Sequence, residues 1–181
     1  MIRKEFFETP LWISDITLNN KLLIEILEEC IKQKYTDTKS SINGSIQTLN
    51  LLNVENFFHT KKTIEELFFQ ETGKEVTVKN AWICKNPKGS KNKTHVHGKC
   101  DISGVYYIKV PKNSGNIIFH NPNQVVQTQE LYDKDKCFSQ VWYIDSEENK
   151  IMFFPSWVPH ETEENKAEND RIALSFNIVY N

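Results

Sequence analysis

Apolar residues recur at two different periods along this chain, and the change falls near residue 73. In the first third, Leu22, Leu23, Ile26, Leu27 and Ile31 follow the three- and four-residue spacing that lines one face of a helix. Thr17 or Asn19 can cap its start, and a short strand opens the chain before it. Ile64, Leu67 and Phe68 predict a second helix over about Thr63 to Glu71, closed by Gly73. Between the two, Thr36 to Thr48 (TDTKSSINGSIQT) is rich in Ser, Thr, Asn and Gly and reads as a loop.

From Lys74 onward the period shortens. The runs VTVKNAWIC, SGVYYIKV, NIIFH, CFSQVWYI, KIMFFPSW and RIALSFNIVY are dominated by Val, Ile, Tyr, Phe and Trp, and the breaks by Pro, Gly, Asn, Asp and Ser. Short strands at this spacing predict a mainly β chain, a double-stranded β-helix (jelly-roll) barrel with N-terminal supporting helices. The expected organisation is one domain over 1–181, with 1–73 as the helical support and 74–181 as the jelly-roll core. Barrels of this kind hold ligands in their mouths. The segments Thr36 to Thr48, Pro87 to Thr94 and Asn121 to Lys136 are the expected rim.

Composition narrows the partners. At 181 residues, 39% hydrophobic and 25% charged, the chain has the make-up of an ordinary globular protein. A net charge of −2 gives no bulk attraction to nucleic acid or to an anionic membrane, so neither is an expected partner. No apolar run approaches the roughly 18 residues of a membrane span. The opening Met-Ile-Arg-Lys-Glu-Phe-Phe lacks an apolar signal core, which points to the cytoplasm. Cys30, Cys84, Cys100 and Cys137 lie far apart and read as reduced thiols.

The five histidines carry the first chemical signal. His95 and His97 are separated by Val96, so in an extended segment both rings leave the same face and can chelate one ion. His160 follows an apolar strand and the turn Pro155 to Pro159, and a jelly roll can bring that later strand back beside the first pair. The plainer alternative places His95 and His97 on a polar surface loop. His59 reads as a surface residue and His120 as a loop residue near the mouth without a role. Imidazoles suit iron, zinc, copper and nickel, and three protein ligands leave positions open for water or substrate, as catalytic sites require.

Arg171 opens the run Arg-Ile-Ala-Leu-Ser-Phe-Asn. Alternation puts Arg171, Ala173, Ser175 and Asn177 on one face and Ile172, Leu174 and Phe176 on the other. A guanidinium with a hydroxyl four residues along is a ready carboxylate clamp. An exposed arginine on a half-solvated strand is the competing reading.

Together, Asn80 to Trp82, His-Val-His followed by Ser103 to Tyr107, Phe154 to His160 and Arg171 to Asn177 resemble the iron(II)/2-oxoglutarate-dependent dioxygenase superfamily. The likeness is to its prolyl-hydroxylase-like branch and to small oxygenases of bacteria and phages, over roughly Lys74 to Asn181. The resemblance implies a fold, an activity and a site. His95 and His160 would hold iron(II), and Arg171 would pair with the distal carboxylate of 2-oxoglutarate, with Tyr107 and Ser175 adding hydrogen bonds. Dioxygen would be consumed as 2-oxoglutarate is decarboxylated to succinate and a C–H bond of a small-molecule or peptidyl substrate is oxidised. The chain departs from the family at His97, where the usual facial triad has a carboxylate. The expected set is therefore three imidazoles, with Asp101 nearby to fix a ring tautomer. A three-His cupin enzyme that does not use 2-oxoglutarate, and a non-catalytic metal- or small-molecule-binding module, are the alternatives.

Overall fold

The computed structural model describes residues 8–38, 41–122 and 140–181. The opening seven residues, the start of CFSQVWYI with Cys137 and most of the Asn121 to Lys136 segment lie outside the described residues.

The first third holds β1 (Trp12–Asp15), α1 (Asn20–Lys32), three short strands, β2 (Thr36–Asp37), β3 (Ser41–Ile42) and β4 (Ile46–Thr48), and α2 (Phe58–Thr72). Asn19 caps α1, its side chain accepting a hydrogen bond from Leu22 N at 3.1 Å, and Leu23, Ile26, Leu27 and Cys30 form the buried face. The second helix starts earlier than apolar spacing predicts, because the residue buried in its first turn is the polar Thr60. It ends at Gly73, which takes φ 69° and donates its N–H to Phe69 O at 2.7 Å.

The segment 36–48 departs from the loop expectation. β2 pairs with β4 and β4 with the long strand β5 (Val76–Asn86), while β3 pairs with β6 (Lys91–Asn92). These pairings rest on main-chain hydrogen bonds, which Ser- and Asn-rich strands can make without the apolar alternation that would reveal them. The remaining strands are β7 (Ile102–Lys109), β8 (Ile117–His120), β9 (Val141–Ile144), β10 (Lys150–Pro155), β11 (His160–Thr162) and β12 (Arg171–Tyr180).

A seven-stranded sheet runs β1-β10-β7-β12-β5-β4-β2, and a three-stranded sheet runs β11-β8-β9. The outer face of the large sheet packs against α1 and α2: Leu23, Leu27, Ile64 and Phe68 from the helices meet Ile83, Tyr106, Phe153, Leu174 and Phe176. Its inner face meets the small sheet through a second cluster, in which Val105, Tyr107, Met152, Phe154 and Ala173 face Ile117 and Phe119. β12 is buried on both faces: Ile172, Leu174, Phe176 and Ile178 join the helix-side core, and Arg171, Ala173, Ser175 and Asn177 look into the barrel. The pairing of β12 with β5 shifts between Asn177 and Ile178, where Asn177 faces Asn80 and Ile178 faces Val78. Lys79 is the extra residue, and it switches the inward parity, so that Val76 and Val78 share a core with Ala81 and Ile83.

Candidate metal centre

Main-chain pairing brings the histidines together before their side chains are considered. His95 N donates to His160 O and His160 N to His95 O, each at 3.0 Å, an isolated antiparallel bridge at the start of β11. Two residues on, His97 N donates to Ser156 O at 2.9 Å. The turn that leads to His160 is itself fastened: Ser156 N donates to Asp101 O at 3.0 Å and Ser156 Oγ to Cys100 O at 2.5 Å. Val96 is 54% exposed while its two neighbours are half-buried, the alternation that aims both rings inward.

The three rings converge. Centroids are 5.0 Å apart for His95 and His97, 4.4 Å for His95 and His160, and 5.1 Å for His97 and His160, the last pair nearly parallel at 6°. One ring nitrogen from each lies within 4.8 Å of the others. His95 Nδ1 sits 2.7 Å from Lys93 O and His160 Nδ1 2.9 Å from Val158 O. A carbonyl only accepts, so Nδ1 carries the proton in both rings and Nε2 keeps its lone pair for an ion. Burial lowers the His160 pKa to about 3, helped by His95, and lowers His97 to about 4 in the same way. Both rings are therefore neutral at physiological pH, the form a metal binds.

Aromatic rings build the walls. Trp82 stacks on His97 at 5.6 Å, and Phe154 meets the His160 ring edge-on at 4.7 Å. Phe119, from the small sheet, touches both Phe154 and His160. Asp101 is not among these neighbours. Its Oδ2 accepts from Tyr180 N at 2.9 Å, so it pins the end of β12, and backbone carbonyls rather than Asp101 set the tautomers. His59 is exposed on α2, and His120 ends β8 with Nε2 3.1 Å from Glu161 Oε1.

Deeper in the barrel stands Arg171, 2% exposed. Its Nη1 donates to Ser114 O at 2.7 Å and Gly115 O at 3.0 Å, and its Nη2, although buried, has no partner among the described residues. No carboxylate among the described residues pairs with it: Glu163 is felt electrostatically, but its Oε2 accepts from Asn116 N. A buried cation with an idle nitrogen is costly unless an anion completes it. Tyr107 is 2% exposed and lies near the guanidinium; burial raises its phenol pKa, while Ser146 and Arg171 pull it back. Ser175 sits across from Trp82 and Val105, and both Ser175 and Arg171 act on Cys84, a thiol pushed up to about 11 by burial and eased by Ser175, Trp82 and Arg171. Trp82, Cys84, Phe119 and Ser146 were not assigned roles from the sequence. Strand alternation signals the first two, whereas the others depend on which strands pair.

Residues 80–177 match the model of the family described as "Putative 2OG-Fe(II) oxygenase". A comparison with curated protein sequences found no match. Among solved structures, the chain is similar to the non-heme alpha-ketoglutarate-dependent carbocyclase SnoK from nogalamycin biosynthesis, at 11% identity and a TM-score of 0.73, covering 94% of this chain and 79% of that one. It is also similar to the viral collagen prolyl hydroxylase of Paramecium bursaria chlorella virus 1, solved as a 2-oxoglutarate complex (13%, TM-score 0.62, 93% and 94%). A third is the prolyl hydroxylase of Trichoplax adhaerens in complex with a peptide fragment (15%, TM-score 0.63, 94% and 82%). At these identities the likeness is one of fold, the jelly roll.

Proposed function

This chain belongs to the 2OG-Fe(II) oxygenase family, and from that premise we propose that His95, His97 and His160 hold its iron(II) while Arg171 and Tyr107 receive the distal carboxylate of 2-oxoglutarate. Ser175 belongs to the wall between them. The carrying observation is the convergence of three imidazole nitrogens within 4.8 Å of one another.

The residues present fit both groups. Three imidazole nitrogen donors suit a divalent transition metal and leave positions open. The idle Nη2 of Arg171 is the donor that a carboxylate would satisfy. Bound iron(II), with 2-oxoglutarate and dioxygen, supplies the oxidative decarboxylation to succinate that accompanies oxidation of a substrate C–H bond. The protein contributes position and environment. The carbonyls of Lys93 and Val158 orient two imidazoles, Trp82, Phe119 and Phe154 keep water from their flanks, and Ser114 and Gly115 hold the guanidinium in one rotamer. The third imidazole replaces an anion, so the metal site carries one more positive charge than a site with two histidines and a carboxylate. Anionic co-substrate is favoured there.

The cupin alternative loses its support, because the family match spans both the histidines and the Arg171 strand. The substrate is a small molecule or a peptidyl segment entering at the histidine end; the peptide-bound relative favours keeping the second class in view. Free Cys30, Cys84 and Cys100 support placement in a reducing compartment, the cytoplasm. Anaerobic titration of the iron(II)-loaded protein with 2-oxoglutarate tests the reading. A metal-to-ligand charge-transfer band is expected in the visible, and its absence at saturating 2-oxoglutarate would sink the proposal.

A further inference from the structure

Asn80 reaches the barrel interior only because β5 carries an extra residue. Val76 and Val78 face the helix-side core, and unbroken alternation would send Asn80 the same way. The bulge at Lys79 reverses the parity, so that Asn80 stands directly across from Asn177. The main chain on either side is pinned: Val78 N donates to Glu65 Oε1 at 2.9 Å and Ala81 N to Asn50 Oδ1 at 3.2 Å.

The inward neighbours of Asn80 across the sheet are uncharged. Strand pairing continues the row through Asn177 and Ser103 to Phe154, and Ser103 Oγ donates to Asn177 Oδ1 at 2.7 Å. Ser103 and Asn177 are buried, and Asn80 Oδ1 is buried with no partner among the described residues. A buried acceptor left idle is unfavourable until something donates to it. The row stands at the histidines and away from the guanidinium. Phe154 touches the His160 ring, and Trp82, the next inward residue of β5, stacks on His97, whereas Arg171 opens the strand on which Asn177 lies towards the other end. An ammonium or guanidinium would be buried in this row without a counter-ion, and a neutral N–H donor would not.

We propose that Asn80, with Asn177 and Ser103, binds an uncharged amide of the substrate, Asn80 Oδ1 accepting its N–H and so orienting the substrate at the metal centre. The inference rests on the site proposed above and deepens it by naming a substrate class, one that carries a peptide bond or a primary carboxamide.

The test uses isotope-labelled, zinc(II)-loaded protein with saturating 2-oxoglutarate, in which no turnover occurs because zinc is redox-inert. Acetamide and N-methylacetamide, which carry an N–H, and N,N-dimethylacetamide, which does not, are titrated while the side-chain amide resonances of Asn177 are followed by NMR. A saturable shift is expected with the first two and none with the third. Tighter binding of N-methylacetamide assigns the group to a peptide bond, and tighter binding of acetamide to a primary carboxamide. Asn80→Leu, an apolar replacement of similar size, is expected to weaken the better amide about three- to tenfold, the value of one hydrogen bond between neutral groups. Equal shifts with all three probes, no saturable shift with either N–H amide, or an unchanged affinity in Asn80→Leu would overturn the inference; the three titrations of the parent decide it even without the variant. The charge-transfer band of the iron(II)-loaded parent separates the two readings. Its absence removes the site proposed above and this inference with it, whereas a band without amide binding removes this inference alone.

Discussion

His95 and His160 exchange both of their main-chain hydrogen bonds, N to O at 3.0 Å in each direction. The pair is thus held by backbone, and the rings project from a frame that no side-chain substitution removes. His95→Ala and His160→Ala are expected to keep the parent circular dichroism spectrum and lose stoichiometric iron(II), read by metal analysis after desalting. A variant that still retains one iron per chain would remove that histidine from the ligand set.

His97 separates two effects. Its ring lies between Trp82 at 5.6 Å and His160 at 5.1 Å, so a smaller ligand there sacrifices stacking but can still reach the ion. His97→Asp restores the two-histidine, one-carboxylate set and lowers the charge of the site by one. Iron is expected to remain bound while 2-oxoglutarate binds several-fold more weakly. Equal or tighter 2-oxoglutarate binding by calorimetry would contradict the charge argument.

Arg171→Met removes a buried cation whose Nη2 has no partner among the described residues. The desolvation penalty goes with the charge, while the Ser114 and Gly115 carbonyls lose their donor, and the two effects offset. The ligand-free melting temperature is therefore expected to change little, while 2-oxoglutarate affinity falls by roughly two orders of magnitude, the cost of breaking a buried charge pair. Thermal shift reads both together. At 100 times its Kd, 2-oxoglutarate is expected to stabilise the parent by about 2.7 kcal/mol and the variant hardly at all.

Gly104 lies under the Phe176 ring on the neighbouring strand, and a Cβ there would stand 2.3 Å from Phe176 Cε2 and Cζ and 2.9 Å from Met152 O. Both neighbours belong to the central strands, so neither can yield cheaply. Gly104→Ala is expected to cost about 1–3 kcal/mol, the usual penalty of overpacking a core, measured as a lower urea midpoint at unchanged m-value.

How far the sequence spoke depended on the kind of force involved. β12 was legible to the residue, because its alternation separates two buried faces. The convergence of the His-x-His pair with His160 was legible because alternation along an extended segment sends both rings of the pair to one side. The strands within 36–48 were hidden, since their pairing uses backbone groups that every residue carries. The bulge at Lys79 breaks the period that would have shown which way β5 faces. Asp101 was misread for a similar reason: nothing in its neighbours along the chain reveals that Tyr180 N lies above it. The partners of Arg171 are main-chain carbonyls of Ser114 and Gly115, which sequence never names.

Acid should weaken the metal-free protein through the two buried imidazoles. Burial disfavours their charged forms, lowering His97 to about 4 and His160 to about 3, each helped by the neighbouring His95. A depressed histidine pKa means that the unfolded chain binds more protons than the native one once pH falls below about 6.5, so stability rises with pH in that range. The loss is expected to begin below about pH 6.5 and to accumulate until the folded-state values near 4 and 3 are reached, with no contribution from these rings above neutrality. Urea unfolding of the apo protein at pH 7.5, 6 and 5 measures it. His160→Gln, which removes one buried titrating group, is expected to flatten the slope; an unchanged slope would place the acid sensitivity elsewhere. Iron(II) is expected to add a constant stabilisation over this range, because both native rings are already neutral there, and to lose it only where protons begin to compete for them, near pH 4 and below.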